Sequence, residues 1–274
     1  MAVTMADIQH LRKMTGAGMM DCKNALNECD GDYDKAIEII RKKGQAVAAK
    51  REDREAAEGC VLAATNGDYA AIVAVKCETD FVAKNEDFIN MVRKILNAAL
   101  ENKPATVEDL KAIDVEGRKV EELITDRIGV TGEKMELGAY EYLNAPTTVA
   151  YIHPGNKLAT IVGFNQANVD TQVAKDVAMQ VAAMNPVSID PESVPANVIE
   201  TERKIAREKA IEQGKPENIL DRIADGAVAK FYKDYTLLNQ EYIKDSKMTI
   251  EQFLKKQDKD LTVTAFKRVN LNVE

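Results

Sequence analysis

Apolar positions first recur at helical spacing. Ile8, Leu11 and Arg12 share one helical face before Thr15-Gly16-Ala17-Gly18 interrupts the pattern, and Met19, Cys22, Leu26 and Cys29 resume it. A second break, Cys29-Asp30-Gly31-Asp32, supplies turn and N-cap residues ahead of Tyr33, Ala36, Ile37, Ile39 and Ile40. Two breaks predict three helices of about ten residues each between Met5 and Gly44. Lys42-Lys43-Gly44 through Arg54 then has the alanine- and charge-rich composition of an exposed helical linker.

From Ala57 the period becomes that of strands. Gly59-Cys60-Val61-Leu62-Ala63-Ala64, the turn Thr65-Asn66-Gly67-Asp68, and Tyr69 to Lys76 predict a hairpin, with Asn-Gly expected to supply the positive φ angles. A helix follows through Phe88, Met91, Val92, Ile95, Ala99 and Leu100 and ends before Pro104. Val107 to Val130 reads as helical through Leu110, Val120, Leu123, Ile124 and Ile128. The same order then returns. Thr147 to Ile152, the turn Pro154-Gly155-Asn156, and Leu158 to Phe164 predict a second hairpin, and Val173, Val177, Val181 and Met184 a second helix. Ala70-Ala71-Ile72-Val73-Ala74-Val75 aligns with Ala159-Thr160-Ile161-Val162-Gly163-Phe164, which identifies an internal duplication of a hairpin-plus-helix unit.

After Met184 the character changes. Pro186, Pro191 and Pro195 precede a charged helix carrying Val198, Ile205, Ala206 and Ile211. Gly214-Lys215-Pro216 turns it into a return helix with Ile219, Leu220, Ile223, Ala227 and Phe231. The pattern fits a protruding antiparallel pair with a thin apolar seam, or an ordinary surface pair lying on the core. Leu261 to Val273 alternates as a terminal strand completing the second sheet. The expected class is α+β: a three-helix module and linker over residues 1–54, a first core subdomain over 55–140, a second over 141–186 and 232–274, and a helical hairpin inserted at 187–231. The opening bundle resembles the ubiquitin-associated three-helix fold, which binds rather than catalyses.

One junction stands out within this pattern. The apolar run Ala71 to Val75 leads into Thr79 and Asp80, both good N-cap residues, so a strand turns directly into a helix at Thr79-Asp80-Phe81-Val82. Phe81 there is either a core side chain or a displayed contact. The equivalent place in the second repeat, after Phe164, runs Asn165-Gln166-Ala167-Asn168-Val169-Asp170 and has no aromatic. A residue needed to close the shared fold would have a counterpart, so the repeat favours display.

Charge bounds the partners. The 274 residues hold 45 acidic and 37 basic side chains, a formal charge of -8, and such a surface repels phosphate backbones. A protein partner is expected, not nucleic acid. Cys22, Cys29, Cys60 and Cys77 lack C-x-x-C spacing and only His10 and His153 accompany them, so no metal or cofactor is expected. No apolar run approaches the roughly 20 residues needed to span a bilayer, and no leader pattern opens the chain. With unpaired thiols, these features predict a cytoplasmic protein without a membrane partner.

No arrangement makes a persuasive enzyme. Gly16-Ala17-Gly18 has neither the spacing nor the Lys-Ser/Thr ending of a phosphate-binding loop. His10 belongs to an amphipathic helix and His153 to a hairpin tip, a place that more often meets a partner than a substrate.

TGAGMMDCKNAL from Thr15, CETDFVAKNEDF from Cys77, YIHPG from Tyr151, GKPENI from Gly214 and LLNQEYI from Leu237 occur in that order. On these motifs the chain resembles the bacterial elongation factor Ts family, guanine-nucleotide exchange factors for the translational GTPase elongation factor Tu. The resemblance implies an N-terminal ubiquitin-associated-like module, a duplicated α+β core and an inserted helical hairpin. It implies that Asp80 and Phe81, within Thr79 to Val82, insert beside the magnesium and phosphate region of the GTPase. It also implies that Met19 and Met20, with Arg12 and Lys23, dock the N-terminal module on the nucleotide-binding domain, and that His153 faces another domain.

Gly132-Glu133-Lys134-Met135-Glu136 departs from the Asn-Ile and paired-Arg segment frequent in the family, leaving contacts there open. Two complete subdomains imply a monomer binding one GTPase. The rival reading is a ubiquitin-associated-like adaptor with a scaffolding core.

Overall fold

The structure, a computed structural model, describes residues 3–272, so Val273 of the expected last strand lies outside the described residues. It opens with α1 (Met5–Thr15), α2 (Met19–Glu28) and α3 (Tyr33–Lys50). Thr4 and Asp7 form a reciprocal capping box on α1, and Asp32 caps α3 by accepting from the Lys35 N–H. Ile8, Leu11, Cys22, Ala25, Leu26 and Ala36 form the small core that the helical spacing predicted.

The expected linker is helical as far as Lys50, where it continues α3 to a length of 18 residues, but it is not fully exposed. Its Val47 and Ala48 pack on the core of the first sheet, and Gly44 is buried against Gly129 of a later helix. A Cβ on Gly129 would lie 2.6 Å from the Gly44 Cα, so the two helices meet backbone to backbone. Small residues that read as solvated linker are what so close a crossing requires.

The first hairpin pairs β1 (Glu58–Asn66) with β2 (Tyr69–Cys77). Its loop is Gly67-Asp68, and only Gly67, at φ +66°, takes a positive angle because Asn66 stays in the strand. After β2 come α4 (Asp80–Ala83) and α5 (Glu86–Asn102). The strand thus passes into a single helical turn with its own cap and only then into the long helix.

The predicted helix from Val107 to Val130 is two: α6 (Val107–Ala112) and α7 (Val120–Thr131). A small hairpin of β3 (Asp114–Val115) and β4 (Arg118–Lys119) separates them, turning at Glu116 and Gly117, both at positive φ. Next, β5 (Met135–Asn144) adds to β2 antiparallel. Sequence pattern missed this strand because Gly138 is an extra residue between the partners of Ala74 and Val75, and it reverses the inward alternation.

The second unit consists of β6 (Thr147–Ile152), β7 (Leu158–Phe164) and α8 (Thr171–Met184). The inserted pair is α9 (Ala196–Glu212) and α10 (Glu217–Tyr235). Then follow β8 (Glu241–Tyr242), β9 (Asp245–Thr249), α11 (Ile250–Gln257) and β10 (Val263–Asn270), the expected terminal strand. The sheets run β1-β2-β5 and β10-β7-β6, so the duplication extends to a third strand added on the far side of each central one.

Burial follows the two-residue period of strands. In β2, Tyr69, Ala71, Val73 and Val75 face α5 and α7, while Ala70, Ile72 and Ala74 face the second sheet. In β7, Ala159 and Ile161 face back, and Val162 and Phe164 face α8 and α11. The result is helix, sheet, sheet, helix, with the sheets packed face to face. Covered on both sides, the central strands read as unbroken apolar runs.

The buried residues of α9 and α10, namely Ala210, Leu220, Ala224, Val228 and Phe231, join none of these cores. The pair protrudes and is tied down at its base, where Val187 donates to the Tyr235 carbonyl and Leu237 and Leu238 donate to Ser188 and Ile189.

Candidate functional site

Thr79 is the hinge of the site. Its backbone stays extended at φ -119° and ψ 155°, and its Oγ1 accepts from the Val82 N–H at 3.4 Å, which starts the single turn of α4. One turn distributes its side chains in different directions. Val82 packs on the first-sheet core and Ala83 is buried, whereas Phe81 is 83% exposed. Burying a phenylalanine is worth about 1.5–3 kcal/mol, so one held fully in water is not serving the fold of the free chain.

Asp80 beside it bonds Lys84 Nζ at 2.6 Å. That hydrogen bond and charge, with a smaller effect from Lys157, hold its carboxyl below the ordinary carboxylate range. The turn of α4 therefore presents an aromatic ring next to a carboxylate that is ionised at neutral pH.

Lys157 belongs to the tip of the second hairpin, so the repeats meet here. Lys157 Nζ pairs with Glu58 at the start of β1 at 2.6 Å, and the Val61 N–H donates to the Asn156 carbonyl at 2.6 Å. His153 lies in the same tip, exposed, with its Nδ1 3.0 Å from the Tyr151 hydroxyl and its N–H donating to the Leu158 carbonyl. The α4 turn and the His153 tip thus flank the same end of β1, which sequence spacing gave no means of seeing.

The N-terminal residues form a separate group. Arg12 in the last turn of α1 and Met20 and Lys23 on α2 are exposed, Met20 by 64%. Met19 is turned partly inward against the module's core and is less available than its neighbour. The turn between α1 and α2 abuts the end of α7, since a Cβ on Gly16 would lie 3.7 Å from Val130.

Two acids that the sequence reading did not single out complete the geometry. Glu133 accepts from the Thr79 N–H at 3.1 Å and the Thr79 hydroxyl at 2.6 Å. Glu78 accepts from the Lys134 N–H at 2.7 Å and pairs with Arg51 just after α3. Glu78 lies in the CETDFVAKNEDF motif and Glu133 in the divergent segment from Gly132 to Glu136, but nothing in the sequence pairs either with its donors.

The cavities and thiols carry different implications. An open cleft of about 620 Å³ separates α1 and α3 from α5 and α7. Most of its cations are matched internally, as Lys43 with Asp21, Lys94 with Glu116, Arg118 with Asp126, and Arg127 with Asp87. Burial pushes the Cys60 and Cys77 thiols up to about 12, which leaves them protonated and unreactive. Among the described residues no His, Cys, Asp and Glu cluster fits a metal ion, and no helix is long and apolar enough to cross a membrane.

The family model described as Elongation factor TS matches residues 78–273, and the Elongation factor Ts of Azobacteroides pseudotrichonymphae is 67% identical over 274 residues, the whole of both chains. The chain belongs to the elongation factor Ts family. The Elongation factor Ts of Porphyromonas gingivalis is 63% identical over 275 residues, again the whole of both, and that of Amoebophilus asiaticus is 52% identical over 98% of this chain and 99% of its own. The family match begins at Glu78, so it spans the Thr79 to Val82 turn, the His153 tip and the helical pair. The full-length relatives extend the similarity over the three-helix module.

Proposed function

We propose that this protein is a guanine-nucleotide exchange factor that binds elongation factor Tu carrying GDP, as a monomer in a one-to-one complex, and promotes GDP release during translation elongation in the cytoplasm. The observation that carries this reading is Phe81, 83% exposed on a capped turn beside ionised Asp80. A GTPase holds its nucleotide through Mg²⁺ bridging phosphate oxygens and through backbone donors around them. Octahedral Mg²⁺ tolerates little displacement, so a rigid ring that shifts one element of that site weakens the nucleotide. Phe81 has few rotamers to immobilise, which makes it an economical anchor. Val82 and the Thr79 cap keep its backbone in place. Arg12, Met19, Met20 and Lys23 would seat the N-terminal module on the nucleotide-binding domain, with exposed Met20 doing more than half-buried Met19. His153 would meet a second domain of the same partner.

Linkage makes the action directionless. Whatever factor the bound protein takes from nucleotide affinity, the nucleotide takes from the protein's affinity, so the GTP to GDP ratio decides the product. The decisive experiment mixes the protein with elongation factor Tu loaded with fluorescent GDP and records release. Phe81→Ala is expected to slow stimulated release about tenfold or more, with the melting temperature unchanged because an exposed side chain contributes little to stability. A variant that unfolds while releasing GDP normally per folded molecule would refute the wedge. If removal of residues 1–54 abolished function while Asp80 and Phe81 changes were silent, the adaptor reading would replace it.

A further inference from the structure

The antiparallel ladder of β2 and β5 ends at the pair Cys77 and Met135, but its register does not. The next positions, Glu78 with Lys134 and Thr79 with Glu133, stay opposite one another, and side-chain carboxylates take over from backbone carbonyls. Glu78 Oε1 accepts from the Lys134 N–H at 2.7 Å, and Glu133 accepts from the Thr79 N–H at 3.1 Å. Each strand end thus sends one carboxylate across to the other's backbone. Glu133 also accepts a hydrogen bond from the Thr79 hydroxyl at 2.6 Å, which leaves that oxygen's lone pairs for the Val82 N–H. The helix-starting bond of α4 is therefore oriented by a residue 54 positions away.

The same clasp gathers a third segment. Just beyond α3, Arg51 pairs with Glu78 at 3.5 Å, and the Glu52 carbonyl accepts from Lys134 Nζ at 2.8 Å. Glu133 is itself fixed by the end of α7, where Gly132 takes φ +74° and the Glu133 N–H donates to Thr131 Oγ1 at 3.3 Å. Since α3 and α7 meet at Gly44 and Gly129, the route from the N-terminal module to Thr79 is one continuous set of contacts.

Resting on the exchange-factor reading above, we infer that Glu133 and Glu78 are positioning residues that hold the Phe81 wedge in fixed relation to the N-terminal module, so that the two surfaces engage the GTPase as a single preorganised unit. Glu133, whose two oxygens receive the N–H and the hydroxyl of Thr79, is the stronger of the two anchors. Replacing it with an amide leaves one acceptor oxygen for the two Thr79 donors, so Glu133→Gln retains at most part of the clasp and Glu133→Ala none.

The test uses the full chain and elongation factor Tu loaded with fluorescent GDP. In Glu133→Ala the maximal rate of stimulated release is expected to fall about tenfold, the scale of one lost charged hydrogen bond, with Glu133→Gln intermediate. Amide exchange should rise at residues 79–83 while α5 and α8 stay protected. In a Phe81→Ala background, adding Glu133→Ala should cost little more, because the clasp acts through the ring. Full additivity in that double variant, or unchanged release by Glu133→Ala, would overturn the inference. A wild-type protein that fails to release GDP at all would overturn the exchange-factor reading instead, so the two failures are distinguishable.

Discussion

Asp176 is 6% exposed and accepts from the Tyr242 hydroxyl at 2.6 Å, Lys244 Nζ at 2.7 Å and Gln172 Nε2 at 2.7 Å. Burial pushes its carboxyl up, but the bonds from Lys244, Tyr242 and Gln172 outweigh burial, and the net direction is below the ordinary value of 3.8. A depressed native pKa contributes stability above the unfolded-state value, and that contribution is lost as pH falls through the native one. Asp176→Asn should therefore cost about 1–3 kcal/mol at neutral pH, and the gap to wild type should close as pH drops well below 3.8 in urea titrations. Asp80 has the same sign of shift but sits in water with Lys84, where an ion pair adds little to folding. Phe81 was legible as a displayed residue because the second repeat lacks its counterpart. The partners of Glu133, Glu78 and Asp176 were not legible, because a carboxylate acquires meaning only from the donors that folding brings to it.

At the scale of elements, the glycines of helices divide into two kinds. Gly129 of α7 faces the Gly44 backbone, and a methyl group there would lie 2.6 Å from its Cα. Gly129→Ala is thus expected to force α3 from α7 and to lower stability by about 1–3 kcal/mol, read as a lower melting temperature and greater proteolysis between residues 44 and 57. Gly226, exposed within α10, has nothing within 4 Å of an added Cβ. Gly226→Ala should stabilise by about 0.5–1 kcal/mol through helix propensity alone, seen in the same melts. Local pattern located both hairpins, α5 and α8, where period and caps agree. It failed at β5, where the Gly138 bulge switches the inward face midway, and between Val107 and Val130, where apolar residues at helical spacing conceal the turn at Glu116-Gly117.

At the scale of the molecule, two topologically equivalent sheets close on each other through small side chains including Ala63, Ala70, Ala74 and Ala159. The helical pair stands outside this sandwich. Its chain ends meet at the bridge between Ser188 and Thr236, and buried Gln240 fastens the base by donating to the Met184 and Asp234 carbonyls. Replacing residues 191–234 by a short linker should preserve a single cooperative unfolding transition, because the cores and the base pairing remain. Loss of cooperativity in a denaturant melt would mean that the pair is integral. The amino-acid sequence by itself determined the class, the three opening helices, the duplication and the aromatic on display, all of which follow from periodicity, caps and comparison of one repeat with the other. Tertiary structure alone decided that the sheets stack face to face, that the end of α3 packs on the first sheet's core, that the His153 tip and the α4 turn share one end of β1, and that Glu133 accepts from Thr79. Those outcomes depend on pairings between distant residues, whose energies arise only when both partners are in place.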